Sequence, residues 1–445
     1  MASSGYSRWI SHGIFAILNR VSVVFFGFLN VFFMVRMMPK SEIGVWVLFT
    51  GITAFLEVIR NGFIRNPFIA HLASAEQPEH KSIITSALVL HTALALVIAI
   101  LLLSTGIPLS NFWSAKDLDK LFYVYAFNTI IFIPFLHFED LQQAKIQFKG
   151  IFVSNFIRLG LLSIYIIVNY AMKANVTLLE LALVQSVATV LATFVSYQYV
   201  KDLVGYNKVI DKKMVYNLVH YGKYTLGTNI SSMFVKNTDS WMIARMISTA
   251  GVAVYNPALR ISNFVEVPTL AVAQMVFPQV AQKLKDRGNE GVRDIYYKSV
   301  SVILAMMLPM VLPLYFFSDW IIVAVFGPDY AEAGDILKVT IFYSMIIPFN
   351  RQFGTVMDAL KRPKVNFYLL VLVAVLNVIF NFIFLRQFGV IGSAYATLLS
   401  YCVVFVLNQV ILARMYNVNT LKVFEGIFYW YKTGWNAALR RMKLA

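Results

Sequence analysis

The sequence predicts an all-α integral membrane protein with about twelve transmembrane helices in two six-helix lobes. Of the 445 residues, 59% are hydrophobic and 13% are charged, and the mean hydropathy is +0.68. An ordinary soluble domain carries about 25% charged residues. Apolar runs of about 20 residues, the length needed to cross a hydrocarbon core of about 30 Å, recur along nearly the whole chain. Together these observations exclude a soluble protein.

Apolar runs between polar breaks give twelve candidate spans. They cover residues 14–35, 43–64, 83–104, 121–138, 151–170, 178–200, 218–244, 252–281, 299–318, 335–358, 365–385 and 390–413. The first run has no evident small-residue cleavage site, so we expect it to be retained as a helix. The spans leave no long extramembrane domain, and residues 319–334 are predicted to form an outer loop.

Basic residues outside the spans fall mainly on one side of the predicted membrane. With the N-terminus inside, the cytoplasmic segments hold 23 Lys and Arg residues and the opposite loops hold 6. Because basic residues are enriched in cytoplasmic loops, both termini are predicted to be cytoplasmic. The net charge of +16 is therefore attributed to membrane topology, and no nucleic-acid partner is predicted.

An internal repeat relates residues 35–58 to residues 244–267 at an offset of 209 residues. Seven of the 24 aligned positions are identical, including Glu57 with Glu266. Six helices separate the copies, so both are expected to run in the same direction. Parallel repeats of this kind are found in alternating-access transporters. The repeat predicts an N-terminal lobe at residues 1–205 and a C-terminal lobe at 206–414, followed by a cytoplasmic amphipathic tail at 415–445.

The tail has apolar residues at three- and four-residue spacing, which is typical of an amphipathic helix. Leu421, Phe424, Phe428 and Tyr431 form this stripe, and basic residues such as Lys422 lie between them. The pattern predicts an interfacial helix on the inner leaflet rather than a thirteenth span. A frayed tail is the alternative.

Ionisable side chains interrupt several predicted spans. An ionisable residue facing lipid costs roughly 2.5–3.5 kcal/mol, so seven of them would cost about 20 kcal/mol. A typical net folding stability is only about 5–15 kcal/mol. The seven are Glu57, Arg60, Lys236, Asp239, Arg260, Glu266 and Asp358. A water-filled central cavity between the lobes, lined by the first, second, seventh, eighth and tenth spans, is therefore predicted.

The charges within the spans are mostly positive. Four acids at membrane level, Glu57, Asp239, Glu266 and Asp358, stand against nine basic residues. A cationic cavity favours an anionic cargo, and the planar arginine fork suits phosphate oxygens. Candidate substrate ligands are Arg20, Arg60, Lys236, Arg260 and Arg351, and the four acids are candidates for ion coupling or helix pairing. The alternative is local neutralisation, in which Glu57 pairs with Arg60 and Lys236 pairs with Asp239.

The sequence carries no signature of a soluble enzyme. HExxH, CxxC, GxxxxGK[ST] and nucleophile-elbow motifs are absent from the 445 residues. The lone cysteine, Cys402, allows neither a disulfide framework nor a cysteine-based metal site. His91 is the one histidine deep in a span, and we interpret it as a packed or hydrogen-bonded residue. No catalytic residue, metal site or cofactor is predicted, and the chain is expected not to be an enzyme.

Four landmarks carry a family resemblance. They are VRMMPKSEIGVWVL (35–48), VFPQVAQKL (276–284), GPDYAEAGDILKV (327–339) and GVIGSAYATLLSY (389–401). In this order, over residues 12–414, the chain resembles the polysaccharide-transporter branch of the multidrug/oligosaccharidyl-lipid/polysaccharide (MOP) flippase superfamily, the O-antigen flippases.

The resemblance implies two six-helix bundles in a V shape around the cationic cavity. It also implies alternating-access transport of undecaprenyl-pyrophosphate-linked oligosaccharide units from the cytoplasmic to the periplasmic leaflet of the bacterial inner membrane, for assembly of lipopolysaccharide O-antigen, capsule or exopolysaccharide. Expected partners are the lipid-linked oligosaccharide, the bilayer, and polysaccharide polymerase and export machinery. Two alternatives stay open: a drug/cation antiporter of the same fold, and a membrane-embedded polysaccharide polymerase or ligase.

Overall fold

The computed structural model describes residues 2–360 and 362–442, and every regular element in these ranges is a helix. The chain divides into two compact units. Unit 1 comprises Met1–Phe234 and Ser248–Ala250, and unit 2 comprises Val235–Ile247 and Gly251–Ala445. The division falls inside one long helix, and the lobe boundary between residues 205 and 206 stays a prediction.

Unit 1 is built from seven helices and the first part of an eighth. They are α1 (Ala2–Met37), α2 (Lys40–Arg60), a π-helical turn (Asn61–Arg65), α3 (Asn66–Ser74), α4 (Gln77–Phe112), α5 (Leu118–Ala144), α6 (Phe148–Ala171), α7 (Leu178–Val200) and α8 (Lys212–Met246). Helix α5 packs against α4 and α7, while α6 packs against α1 and α7. Buried apolar side chains from α3, α4, α5 and the start of α8 meet in one cluster, which includes Phe68, Leu90, Leu141 and Leu218. This packing holds the polar side chains of α5 inside the unit.

Unit 2 contains the end of α8 and the remaining helices. They are α9 (Thr249–Val265), α10 (Val267–Phe316), α11 (Ser318–Phe326), a 3-10 turn (Pro328–Tyr330), α12 (Ala333–Ser344), α13 (Ile347–Ala359), α14 (Pro363–Phe388), α15 (Ile391–Tyr416) and α16 (Leu421–Met442). Helix α14 packs against α15, and α10 packs against α13 and α16. The prediction of an outer loop at residues 319–334 is wrong in part, because α11 and the 3-10 turn occupy most of it.

Within the described residues, nine helical segments are long and apolar enough to cross a membrane. They confirm a multi-pass membrane protein. The predicted spans at 218–244, 252–281 and 335–358 are not among the nine. These three spans carry most of the predicted site residues, and those at 252–281 and 335–358 are each divided between two helices. The count of twelve spans therefore stays a prediction.

The internal repeat extends to the helix boundaries. Helix α1 ends at Met37 and α8 ends at Met246, which lies 209 residues later. Helix α2 begins at Lys40 and α9 begins at Thr249, again 209 residues later. The starts of α5 and α6 recur as the starts of α12 and α14 with a slightly larger offset. Helix boundaries thus recur at corresponding positions in the two halves of the chain.

Helix α10 is broken at Gly288, whose backbone angles are φ +58° and ψ −141°. This conformation is close to a region that is nearly exclusive to glycine, and forcing another residue into such backbone costs about 1–3 kcal/mol. We therefore expect Gly288→Ala to lower the thermal unfolding midpoint of the detergent-solubilised protein. Gly27→Ala is the matched control, since Gly27 lies inside α1 with no atom near the added methyl group. Equal midpoints for the two variants would contradict the assigned break.

The tail forms helix α16, and one face of it packs on α10. Val423 and Ile427 are buried in the core of unit 2, and the Ser301 hydroxyl donates to the Val423 carbonyl at 2.7 Å. Leu421 and Phe428, from the predicted apolar stripe, are exposed. The helix is thus amphipathic in structure, and its position at the membrane surface stays a prediction. Residues 443–445 lie outside the described part of the chain.

Candidate functional site

The last turn of α2 places Glu57 and Arg60 side by side. The Arg60 Nη1 atom lies 3.5 Å from Glu57 Oε1, and the Tyr125 hydroxyl donates to the same oxygen at 2.9 Å. Arg60 is only 2% exposed, and its Nε and Nη2 atoms have no hydrogen-bond partner among the described residues. The two residues are thus in contact, but the Nε and Nη2 donors of the guanidinium stay unused.

A second arginine of unit 1, Arg65, ends the π-helical turn that follows α2. Its Nε atom lies 3.2 Å from Asp140 Oδ1, and its Nη2 atom lies 3.6 Å from Glu139 Oε1. Both carboxylates are buried. The fourth predicted span ends at residue 138, whereas α5 continues to Ala144. Glu139 and Asp140 therefore lie within the helix, and Arg65 neutralises part of this acidic pair.

A third arginine connects to the same group through an amide. The Asn155 Nδ2 atom donates to Glu139 Oε1 at 3.2 Å, and Arg158 Nη2 donates to Asn155 Oδ1 at 3.2 Å. Arg20, by contrast, is exposed on α1 among exposed apolar side chains such as Ile17 and Val21. The structure therefore does not bring Arg20 together with Arg60.

In unit 2, Asp239 lies at the centre of a buried polar cluster, which we call the Asp239 cluster. The Tyr255 hydroxyl and the Thr397 hydroxyl each donate to Asp239 Oδ2 at 2.7 Å. The amides of Asn377 and Asn381 donate to Oδ1 at 3.2 and 2.9 Å. Four donors from α9, α14 and α15 thus converge on one carboxylate of α8.

The Asp239 cluster contains no cation from the protein. Asp239 is 5% exposed, and across the residues that the structure describes it forms no ion pair, so the predicted neutralisation by Lys236 is not found. A buried, unpaired carboxylate is expensive unless it is hydrogen-bonded, protonated or bound to an ion. Asn377 and Asn381 are two amides four residues apart in the sequence, but their partner on α8 cannot be identified from spacing.

Three other predicted residues interact electrostatically in unit 2. Glu266 lies between the end of α9 and the start of α10, and the charges of Lys236 and Arg351 both act on it. Asp358 is exposed, and the Asn366 amide donates to its two oxygens at 3.2 and 3.0 Å. The structure thus groups Lys236, Glu266 and Arg351, and it gives Asp358 a separate hydrogen-bond partner.

Arg260 lies on α9 and is half-buried. Its Nε atom donates to the Asn256 side-chain oxygen at 2.7 Å, which fixes the guanidinium along its own helix. Asn229 and Ser232, which precede Lys236 on α8, have side chains outside the described part of the structure. The predicted cavity between the lobes stays a prediction.

Comparison with known proteins gives a family match over most of the chain. The sequence profile of the family described as "Polysaccharide biosynthesis protein" matches residues 33–335. A relative from Haloferax volcanii, named "Probable low-salt glycan biosynthesis flippase Agl15", is 26% identical over 219 residues, which are 49% of this chain and 45% of that protein. The chain spans about half the length of the curated relatives it matches, or less.

Solved structures share the fold at low sequence identity. The chain is 15% identical to "Lipid II flippase MurJ, inward closed conformation", with a TM-score of 0.74 over 93% of this chain and 90% of that one. It is also 15% identical to the inward-facing structure of "a multidrug resistance MATE family transporter of the MOP superfamily", with a TM-score of 0.69 over 90% and 98% of the two chains. These likenesses confirm the predicted all-α fold of this superfamily.

Proposed function

We propose, because the chain belongs to the polysaccharide biosynthesis protein family, that it is a flippase for a lipid-linked oligosaccharide in the cytoplasmic membrane. The single observation that carries this proposal is Arg60, a buried arginine whose Nε and Nη2 donors are unused. Buried arginine donors that lack partners are costly, and an anionic group satisfies them well. The Haloferax volcanii relative, whose name describes a glycan biosynthesis flippase, points the same way.

The cargo group that fits this chemistry is the pyrophosphate of an undecaprenyl-pyrophosphate-linked oligosaccharide. In the proposed cavity, Arg60, Lys236 and Arg260 contact the phosphate oxygens during transport, and Arg351 is a further ligand. Charge-assisted hydrogen bonds contribute roughly 1.5–3 kcal/mol each. The lipid tail stays in the bilayer while the sugar crosses through the cavity by alternating access.

The acids divide into two roles in this proposal. Glu57 already contacts Arg60, and Lys236 and Arg351 act on Glu266, so these two acids neutralise the cationic ligands when cargo is absent. Asp358 stabilises the connection to α14 through Asn366. Asp239 has no such cation, and it is the coupling site of the proposal.

The Asp239 cluster suits a monovalent cation, either sodium or a proton. It offers carboxylate oxygens, the Thr397 hydroxyl and the Asn377 side-chain oxygen, which has no hydrogen-bond partner in the described residues. Within those residues no group of three acids or histidines forms a metal site, which disfavours a divalent ion. Intramembrane acids of transporters commonly mark ion pathways.

The predicted topology is part of the proposal and can be measured. Reporters fused within residues 201–216 and at the C-terminus are expected to read cytoplasmic, because both segments are rich in Lys and Arg. A reporter at residue 325 is expected to read periplasmic. The measurement compares, at each site, the activity of a periplasmic reporter such as alkaline phosphatase with that of a cytoplasmic reporter. An inverted pattern would contradict the twelve-span arrangement.

A drug/cation antiporter is the second candidate function, because the fold is shared with a multidrug resistance transporter. The two candidate functions predict different results when the protein is expressed in a flippase-null strain and in an efflux-deficient strain. A flippase restores surface glycan in a flippase-null strain and leaves drug resistance unchanged. An antiporter raises the resistance of an efflux-deficient strain and leaves the surface glycan absent. Expression of the same plasmid in both strains separates the two functions.

A further inference from the structure

A second buried polar group lies in unit 1, apart from the residues proposed to contact cargo. Asp140 is 1% exposed and His91 is 2% exposed, and the His91 Nε2 atom lies 3.3 Å from Asp140 Oδ2. The other carboxylate oxygen of Asp140 lies 3.2 Å from Arg65 Nε. A single carboxylate therefore stands between an arginine of the α2–α3 segment and a histidine of α4.

His91 has no other polar contact in the described part of the chain. Neither of its ring nitrogens has a hydrogen-bond partner, so the contact with Asp140 is a close approach rather than an aligned hydrogen bond. The His137 ring lies edge-on to it at 5.7 Å between centroids, and His137 is itself stacked between Phe68 and Tyr206. The surroundings thus leave Asp140 as the polar neighbour toward which His91 points.

The charged groups that contact one another directly at this site carry more negative than positive charge, which favours the addition of one cation. Arg65 is shared by Glu139 and Asp140, so two carboxylates share one directly contacting arginine. Arg158 reaches Glu139 only through the Asn155 amide. The charged and titratable groups that face the site are Glu57, Arg60, Arg65, His137, Glu139, Asp140, Arg158 and Tyr206. A proton on His91 supplies the second direct cation.

We propose that His91 and Asp140 form a proton-binding site that controls how firmly Arg65 is held on α5. A proton from water binds His91 Nε2, and the new N–H donates to Asp140 Oδ2. The carboxylate then divides its charge between two cations, and its hold on Arg65 weakens. Deprotonation of His91 returns Asp140 to Arg65.

This site can act on transport because Arg65 belongs to the same helical segment as Glu57 and Arg60. The π-helical turn Asn61–Arg65 connects these residues, and such turns occur frequently at functional sites. A weaker contact with Asp140 leaves Glu139 and Gln143 as the α5 partners of Arg65, so the end of α2 is held less firmly on α5. The inference rests on the proposed function, because it assigns the proton a role in moving the same cargo.

Transport in proteoliposomes tests the site. The probe is an undecaprenyl-pyrophosphate-linked oligosaccharide, and its translocation is measured with and without an imposed pH gradient. A single proton site changes its occupancy by up to about tenfold per pH unit. We expect the wild-type rate to follow the gradient and His91→Gln to lose that dependence. His80→Gln is the matched control on the same helix, since its ring contacts the Ala75 carbonyl and Lys145 rather than a carboxylate, and it should keep the dependence.

A measurement without transport separates this inference from the proposed function. Thermal unfolding midpoints of wild type and His91→Gln are compared in detergent from about pH 8 to about pH 5.5, the range in which histidine titrates. If the contact with Asp140 makes the folded protein bind a proton at His91 more tightly than the unfolded chain does, wild type gains stability relative to His91→Gln as the pH falls. A relative loss of stability on acidification would overturn the site.

The outcomes of the two experiments distinguish failure of the proton site from failure of the proposed function. Glycan movement by wild type that is insensitive to pH, or an undiminished pH dependence in His91→Gln, overturns the proton site and leaves the flippase intact. If wild type moves no glycan, the proposed function fails, and the sign of the stability difference alone decides whether the folded protein binds a proton at His91 more tightly than the unfolded chain does.

Discussion

Replacing Arg60 with alanine is expected to abolish surface-glycan export. Arg60 is buried on α2, and two of its three nitrogens have no partner in the described residues. Each charge-assisted contact to phosphate contributes roughly 1.5–3 kcal/mol, so losing one weakens capture by about 10- to 100-fold. Arg60→Lys should restore export only in part, because lysine keeps the charge but lacks the fork. Complementation of a flippase-null strain, with the membrane level of the protein checked in parallel, makes the measurement.

The double variant Glu57→Gln/Arg60→Ala separates cargo binding from helix pairing. If Arg60 only neutralises Glu57, removal of both charges restores export; if Arg60 binds cargo, export stays absent. Arg386→Ala is the control, because Arg386 is exposed at the end of α14 and stacks on Phe382 at 3.9 Å. Full export by Arg60→Ala, Lys236→Ala and Arg260→Ala, singly and combined, would place the cargo site elsewhere.

Apolar runs in the sequence predict the helices that are long and apolar enough to cross a membrane. The sixth predicted span, residues 178–200, coincides with α7, because its ends are marked by the Thr177 cap and by polar residues. The fourth span was predicted to end too early because Glu139 and Asp140 read as the start of a loop. Their compensation by Arg65 and Asn155 comes from other helices, and no local pattern reveals it.

Only part of the candidate site could be predicted from the sequence, because many of its contacts join residues that lie far apart in the chain. The Glu57–Arg60 pair lies within one helical turn, so the spacing of three residues was enough to suggest it. The Asp239 cluster joins α8 to residues that follow it by up to 158 positions in the chain, and only the fold brings them together. The sequence predicts His91 to be a packed or hydrogen-bonded residue, but it does not show that Asp140 lies beside it.

Asp239→Asn is expected to remove the dependence of the protein on its coupling cation. Asparagine has nearly the same shape as aspartate, so the contacts with Tyr255 and Thr397 can largely persist while the charge is lost. If sodium binds, a concentration of about 100 times Kd stabilises the wild type by about 2.7 kcal/mol. That stabilisation should vanish in the variant. Thermal unfolding in sodium against potassium buffers measures it, and glycan export in the flippase-null strain should fall in parallel.

Asp358→Asn provides the matched control for Asp239→Asn. It removes one carboxylate from the same unit, but Asp358 is exposed and contacts a single asparagine, so its sodium response should equal that of wild type. If sodium stabilises neither wild type nor Asp358→Asn, the cation at Asp239 is not sodium. A proton then remains, and export driven by a pH gradient should fail in Asp239→Asn. Export that depends on neither ion, at a rate that Asp239→Asn leaves unchanged, would show that the cluster only joins α8 to α14 and α15.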